Sequence, residues 1–419
     1  MPIAVSRRIV IPALLLGCRA PEGTPRAPDP AATPPAAGGV PATARVAATP
    51  APGPTLDPML SRSIEDTMRQ VMRRALADSA FPGGIAVAGR GAGILATVAV
   101  GTTDWGNRTL VDDHTVWDVA SLTKVMGMTT AIMQLVQSGR MELDAPAQRY
   151  LPEWTGRDKH RVTVRHLITH ASGLPAFRAY DRITTRADSI ATLIMAEPLT
   201  WAPGDTMVYS DLGAYLLGRI VERVSGEPLD AYVVRHVFEP LGMASTRYNP
   251  PGAWLPRIAP TEVDSLRGGK VHGKVHDERA YYLGGVSAHA GIFSTAHDLA
   301  RFARMYLNGG ALDGTRVLAP ETIGQFTARQ RADRALGWQK PSRGSSAGTR
   351  VSERTFGHTG FTGTSIWMDP EHDVFVILLS NRVNPTRNNP RVGRVRTALA
   401  DGVLAAIGAP ITLPTTPRQ

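Results

Sequence analysis

Strand-like and helix-like segments occupy both ends of this chain and leave a long helix-rich middle, and this placement restricts the fold more than any other feature. Leu60, Ile64, Met68, Val71, Met72 and Leu76 recur at the spacing of one helical face. The pattern ends before Phe81-Pro82-Gly83-Gly84. Two apolar runs over 85–88 and 94–100, broken by a glycine-containing stretch over 89–93, predict a hairpin. Near the other end, runs over 364–368 and 374–379 predict two more strands, joined by Asp369-Pro370-Glu371-His372-Asp373. A helical stretch over 392–407 follows. The economical arrangement joins the two ends in one lobe and makes the middle a second, helical one. The expected fold class is therefore α/β (α+β), an antiparallel sheet flanked by helices plus an all-α lobe, with a cleft between them. No internal repeat is visible.

The amino-terminal 57 residues follow different rules. Arg7 and Arg8 precede an apolar run over 9–16, then Gly17 and Cys18, the order of an export signal. That run is too short to span a bilayer. Leu15-Leu16-Gly17-Cys18 resembles the lipobox of bacterial lipoproteins, which implies removal of 1–17 and acylation of Cys18. The chain has one cysteine, so an internal disulfide is excluded. Residues 18–57 then read as the lipidated cysteine and a Pro/Ala-rich linker, up to roughly 120 Å long at the polyproline II rise of about 3.1 Å per residue. The expected location is periplasmic, lipid-anchored to the membrane; Arg19 after the cysteine is compatible with the outer membrane. A domain over 58–411 and a tail over 412–419 complete the expected organisation.

Charge excludes one class of partner. The formal net charge is +10, yet of the 46 basic residues only five are lysine, at 124, 159, 270, 274 and 340. The arginines are scattered, without basic runs interleaved with aromatics, so no nucleic-acid partner is expected. In so arginine-biased a chain a lysine suggests work that a guanidinium, which does not deprotonate, cannot do.

Three short segments carry candidate chemistry. Asp118-Val119-Ala120-Ser121-Leu122-Thr123-Lys124 precedes an apolar, helix-like run over 125–136. At i and i+3 on a helix, Ser121 and Lys124 share a face, within reach of one another. Ser-x-x-Lys arises by chance roughly 0.3 times in such a chain, and Ser121 alone reads as a helix cap. Val208-Tyr209-Ser210-Asp211 places a phenol before a second helical run; alone, Tyr209 reads as a packing residue. Gly357-His358-Thr359-Gly360-Phe361-Thr362-Gly363 reads alone as a turn, though a glycine-rich strand start also lets a substrate backbone lie close.

Taken in order, Ser121-x-x-Lys124, Tyr209-Ser210-Asp211 and His358-Thr359-Gly360 resemble the three signature motifs of the serine β-lactamase, D,D-peptidase and class C-like esterase superfamily. The resemblance runs from about 58 to 408. It is supported by 164–174, by Pro240-Leu241-Gly242-Met243, and by a stretch from 259 to 291 that looks like the penicillin-binding-protein-like or esterase-like branch. It implies a serine hydrolase that forms an acyl-enzyme at Ser121 and cleaves an amide or ester: a β-lactam, a D-amino-acid peptide or an ester. Lys124 and Tyr209 would draw off the serine proton, and the Ser121 and Phe361 N–H groups would form the oxyanion hole. Asp211, His358, Thr359 and Gly360 would contact substrate, a small molecule or a peptidoglycan-like peptide, with no cofactor or metal. The oligomeric state stays open.

Two positions depart from the pattern of many members, which have lysine first in the third motif and asparagine last in the second. A histidine near its ordinary pKa of about 6.5 is only partly cationic at neutral pH, so His358 is expected to anchor a substrate carboxylate less firmly and to titrate between about pH 6 and 7. An ionised Asp211 is expected to repel anionic substrates.

Three other readings compete. His272, His276 and Asp277 cluster, as do His166 and His170, but without a His-Glu-x-x-His motif or cysteine ligands. A non-catalytic envelope module would keep the fold and lose turnover, which intact Ser121, Lys124 and Tyr209 argue against. The Gly-x-Ser-x-Gly elbow of an α/β-hydrolase is absent.

Overall fold

The computed structural model describes residues 57–413. The expected signal segment, Cys18, the linker and the end of the tail lie outside the described residues.

Helix α1 (Pro58–Ala77) begins where Asp57 accepts a hydrogen bond from the Met59 N–H, with proline at the first helical position. Its buried stripe is Ile64, Met68, Met72 and Ala75, spaced four, four and three residues apart. Strands β1 (Gly83–Arg90) and β2 (Gly93–Gly101) form the expected hairpin. From the other end come β3 (Phe356–Thr359), β4 (Ser365–Asp369) and β5 (Val374–Ser380), and they pair so that β5 lies against β1. The order across the antiparallel sheet is β3-β4-β5-β1-β2. The two termini thus close one sheet, as their patterns require.

Strand β5 is apolar at six successive positions because both faces of the sheet are covered. Val374, Val376 and Leu378 join the Ile64 and Met68 side of α1 and the Val395, Leu399 and Val403 side of helix α5 (Val392–Ala406). Phe375, Ile377 and Leu379 point the other way, into a core shared with helix α4 (Ala296–Leu307) and the helical middle. Each such side chain taken out of water contributes about 1.5–3 kcal/mol. That core also contains residues of helices α2 (Thr130–Gln137) and α3 (Asp211–Ser225), so sheet and helices are joined by one apolar interior.

Two local structures differ from the sequence pattern. The run after Lys124 is a π-helix over Lys124–Thr129 before it becomes α2, and such widened turns concentrate at functional sites. The third motif is not a turn alone: Phe356, Gly357, His358 and Thr359 form the edge strand β3, and the turn begins at Gly360. Backbone pairing with β4 decides this, and local composition does not report it.

Candidate active site

Ser121 lies in a tight turn entering the helix, and distant chain holds that turn in place. Asp118 accepts from the Ala120 N–H at 2.8 Å and from the His276 N–H at 2.6 Å. Burial raises the Asp118 carboxyl above its ordinary value despite these bonds. Ala120, just before the nucleophile candidate, has φ +49°, a left-handed conformation that costs a non-glycine residue about 1 kcal/mol or more. From the sheet side, Thr362 Oγ1 donates to the Asp118 carbonyl at 2.7 Å and Thr364 Oγ1 to the Val119 carbonyl at 2.9 Å. Gly360 has no alternative at this junction: a Cβ there would stand 2.0 Å from Thr364 Oγ1 and 2.4 Å from the Val119 carbonyl. The first and third motifs are therefore locked together.

Lys124 is 1% exposed and its ammonium has three acceptors: Ser121 Oγ at 3.1 Å, the His289 carbonyl at 3.1 Å and Asp211 Oδ1 at 2.8 Å. Burial works against the charge, but the Asp211 carboxylate outweighs it and holds Lys124 above the ordinary lysine value. Burial would likewise raise Asp211, yet Lys124 and Arg279 pull its carboxyl well below the usual range. Arg279 Nη2 donates to Asp211 Oδ2 at 2.6 Å, and Asp211 opens α3, where the helix dipole favours an anion. Two expectations are corrected here. Lys124 is not a resting neutral amine, because an ammonium with three acceptors has no lone pair to offer. Asp211 is not a bare charge facing substrate, because it is neutralised from both sides.

Tyr209 sits immediately before Ser210, whose hydroxyl caps α3 by accepting from the Gly213 N–H at 3.2 Å. Its ring lies 4.8 Å from Lys124 Nζ and 5.2 Å from Arg334 Cζ, measured from the ring centre, and stacks at a tilt against His170 at 4.6 Å. The Tyr209 hydroxyl is buried and lies beside the Lys124 ammonium, which it helps to hold above the ordinary lysine value. His170 accepts from the Ser210 N–H at Nδ1, and burial holds its pKa well below the ordinary value. The second motif thus arrives against the first as the resemblance implied.

His358 is 3% exposed and hydrogen-bonds through Nδ1 to the Thr359 carbonyl at 2.8 Å. Burial first, then the positive charges of Arg334 and Lys124, push its pKa down to about 3. The expectation of a partly cationic His358 titrating near neutrality is therefore wrong: the ring is neutral at physiological pH. The consequence is measurable as stability. The folded-state pKa lies below the unfolded value, so the stabilisation is complete above about pH 6.5 and is lost as pH falls toward 3. Between pH 7.5 and 5.0 the His358→Asn variant should lose about 2 kcal/mol less than the parent chain in denaturant unfolding. Equal losses would show that native His358 takes up a proton in that interval.

The Ser121 and Phe361 backbone N–H groups, expected as oxyanion donors, take part in no hydrogen bond among the described residues. Both residues line two adjoining cavities of about 550 and 460 Å³. The larger also meets Tyr209, Arg334, His358, Thr359, Gly360 and Arg396; the smaller meets Phe177, Asp211, Asp277, Arg279 and His289. The cleft therefore passes over Ser121 from the third motif to the helical side.

Arg334 and Arg279 are the residues that sequence reasoning missed. Arg279 lies inside the 259–291 stretch that supports the resemblance, two residues after Asp277, the one signal that could have drawn attention to it. Arg334 carries no such signal, and only folding brings it beside Tyr209. The histidines weighed as metal ligands are bound otherwise: His276 Nε2 faces Glu262 at 2.9 Å, His272 Nε2 the Ile258 carbonyl at 2.8 Å, and His166 Nδ1 accepts from the Thr163 N–H. Among the described residues no group of three or more His, Cys, Asp or Glu is placed to hold a metal ion.

A sheet closed by both termini, with Ser-x-x-Lys, Tyr and a glycine-rich strand end around one cleft, is the arrangement of a serine hydrolase. The sequence profile of the β-lactamase family matches residues 68–400, and the chain belongs to that family. A Salmonella agona protein whose assignment as a D-alanyl-D-alanine carboxypeptidase is provisional is 33% identical over 326 residues, covering 70% of this chain and 75% of that one. Among solved structures, a penicillin-binding protein homologue from Caulobacter crescentus superposes with a TM-score of 0.67 at 22% identity, covering 82% of this chain and 97% of that one. A class C β-lactamase variant does so with a TM-score of 0.67 at 20% identity, covering 82% and 98%. At such identities these two likenesses establish the fold alone. The chain is a serine hydrolase of this superfamily.

Proposed function

We propose that the protein cleaves an amide or ester of the D-amino-acid peptide type through an acyl-enzyme at Ser121. The observation that carries this reading is the 3.1 Å contact of Lys124 Nζ with Ser121 Oγ, at the bottom of a cleft that Tyr209 and the third motif also line. Relatives assigned as D-alanyl-D-alanine carboxypeptidases support the substrate class.

In this mechanism the Lys124 ammonium donates to Ser121 Oγ and orients it, and the serine proton passes to the Tyr209 hydroxyl as that hydroxyl gives its own proton to the leaving group. Oγ attacks the carbonyl carbon, and the Ser121 and Phe361 N–H groups receive the oxyanion. The relay leaves Tyr209 with one proton, as before, and the departing nitrogen or oxygen protonated. Water then enters and attacks the acyl carbon, giving its proton to Tyr209 as Tyr209 gives its own to Ser121 Oγ, which releases the acid and restores Ser121. His358, neutral and bonded to the Thr359 carbonyl, shapes the strand edge and carries no charge. The cations on that side are Arg334, Arg382 and Arg396.

We place this activity in the cell envelope, with Cys18 lipidated and the domain on its linker, on the strength of Arg7, Arg8, the apolar run over 9–16 and the lipobox-like Leu15-Leu16-Gly17-Cys18. Lipid attachment through several acyl chains gives stable anchoring where one chain does not.

Intact-mass measurement after exposure to a fluorophosphonate tests the nucleophile. One phosphonyl adduct on Ser121 is expected, with none on the Ser121→Ala variant. An unlabelled parent chain would favour the non-catalytic envelope module.

A further inference from the structure

The two halves of the cleft differ in charge. The half on the helical side meets Asp211, Asp277 and Glu278 as well as Arg279 and Arg387, so its charges largely cancel. The half on the third-motif side meets Arg334, Arg382 and Arg396, and no carboxylate lies among the described residues lining it. Three guanidiniums gathered in a half-buried cavity whose nearest carboxylate is Asp333, outside the lining and 3.6 Å from Arg334, raise the energy of the empty site, and an anionic ligand relieves it.

The details bear this out. Arg334 is 12% exposed, its nearest carboxylate is Asp333 at 3.6 Å, and its Nε and Nη1 are buried without hydrogen-bond partners. Arg396 spends Nη2 on the Gly360 and Thr364 carbonyls at 2.7 and 2.8 Å, while its buried Nε is unpartnered. Burial, with the charge of Arg382 beside it, brings the Arg396 pKa down to about 10. Arg382 donates to the Phe361 carbonyl at 2.8 Å and its guanidinium stacks over the Phe361 ring at 4.4 Å. A buried guanidinium N–H left unpaired costs more than a neutral donor. Arg279 in the other half shares this deficit but has Asp211 and Asp277 beside it, whereas no carboxylate lines the cavity of Arg334 and Arg396, which points to missing acceptors there. One carboxylate can pair with one guanidinium fork and leaves the remainder unbalanced.

We infer that this half of the cleft receives a leaving group bearing two carboxylates, a dicarboxylic amino acid, one carboxylate meeting Arg334 and the other the Arg396 and Arg382 pair. The inference rests on the acyl-enzyme reading for its orientation, in which the substrate carboxylate lies at the third motif. The cavity of about 550 Å³ lies within the ordinary range for small-molecule sites and exceeds what a terminal alanine fills. It also gives Arg334 a specificity-determining role at a position remote from all three motifs.

The test uses the full-length chain and two isosteric peptides, N-acetyl-D-alanyl-D-glutamate and N-acetyl-D-alanyl-D-glutamine, with N-acetyl-D-alanyl-D-alanine as the third. Calorimetric binding to the Ser121→Ala chain reads the subsite without turnover. The glutamate peptide is expected to bind at least about tenfold tighter than the glutamine peptide, with an advantage that shrinks as salt is raised. In Ser121→Ala carrying Arg334→Gln the ratio is expected within about twofold. Equal affinity of the two peptides for the Ser121→Ala chain, or a preference that survives Arg334→Gln, overturns the inference. The fluorophosphonate adduct on Ser121 is read separately: its presence beside equal affinities leaves the acyl-enzyme standing and removes only the dicarboxylate, whereas its absence beside a tenfold preference removes the nucleophile and keeps the anion site.

Discussion

Replacing Lys124 with alanine lowers the rate of Ser121 acylation by about 10³–10⁴-fold while the chain stays folded. The rate falls because the ammonium is the only group that both touches Ser121 Oγ and ties it to the Asp211 and His289 side of the cleft. Without it the hydroxyl loses its orientation and the developing negative charge its nearest cation. The fold survives because Asp211 keeps the 2.6 Å bond from Arg279, so no buried carboxylate is left without a cation. The time course of fluorophosphonate labelling, followed by intact mass, gives the rate, and thermal unfolding gives the stability. A variant labelled within tenfold of the parent rate removes Lys124 from the chemistry.

Tyr209→Phe should separate activity from stability more sharply. The ring keeps its contacts with His170, Lys124 and Arg334, and only the oxygen is lost. That oxygen lies beside the Lys124 ammonium, which keeps Ser121 Oγ, the His289 carbonyl and Asp211 as acceptors, so its removal should change stability by no more than about 1 kcal/mol. Its role as the atom that takes the serine proton and hands it to the leaving group disappears, and acylation should fall by about 10²–10⁴-fold. Unaltered acylation would return the proton to Lys124, which would first have to give one up to Asp211, a carboxyl held far below its usual range.

The two predictions together distinguish a lysine that positions from a lysine that titrates. In the resting site Lys124 is charged because Asp211 stands 2.8 Å away. Many relatives carry asparagine where this chain has Asp211, and the resemblance on its own transferred a neutral amine that this carboxylate forbids.

The arrangement of the sheet and the membership of the site were legible in the linear pattern. Helical spacing from Leu60 to Leu76, short apolar runs at both ends and the order of Ser121, Lys124, Tyr209 and His358 are local or motif properties. They need no knowledge of what packs against them, and they located α1, the hairpin, β4, β5 and α5 within a residue or two. The third motif was legible as a glycine-rich segment but not as an edge strand, since β3 exists only by pairing with β4.

Charge state was not legible. Whether Lys124 carries a proton, whether His358 does, and whether Asp211 faces substrate are decided by burial and by partners 68 to 165 residues away in sequence, Arg279 for Asp211 and the His289 carbonyl for Lys124. A residue type sets the ordinary pKa, while desolvation and neighbouring charge, which exist only once the chain has folded, move it. For the same reason Arg334 and the guanidiniums gathered with it belong to tertiary structure alone: scattered arginines in sequence become a site when the fold brings them to one cavity wall that no carboxylate lines.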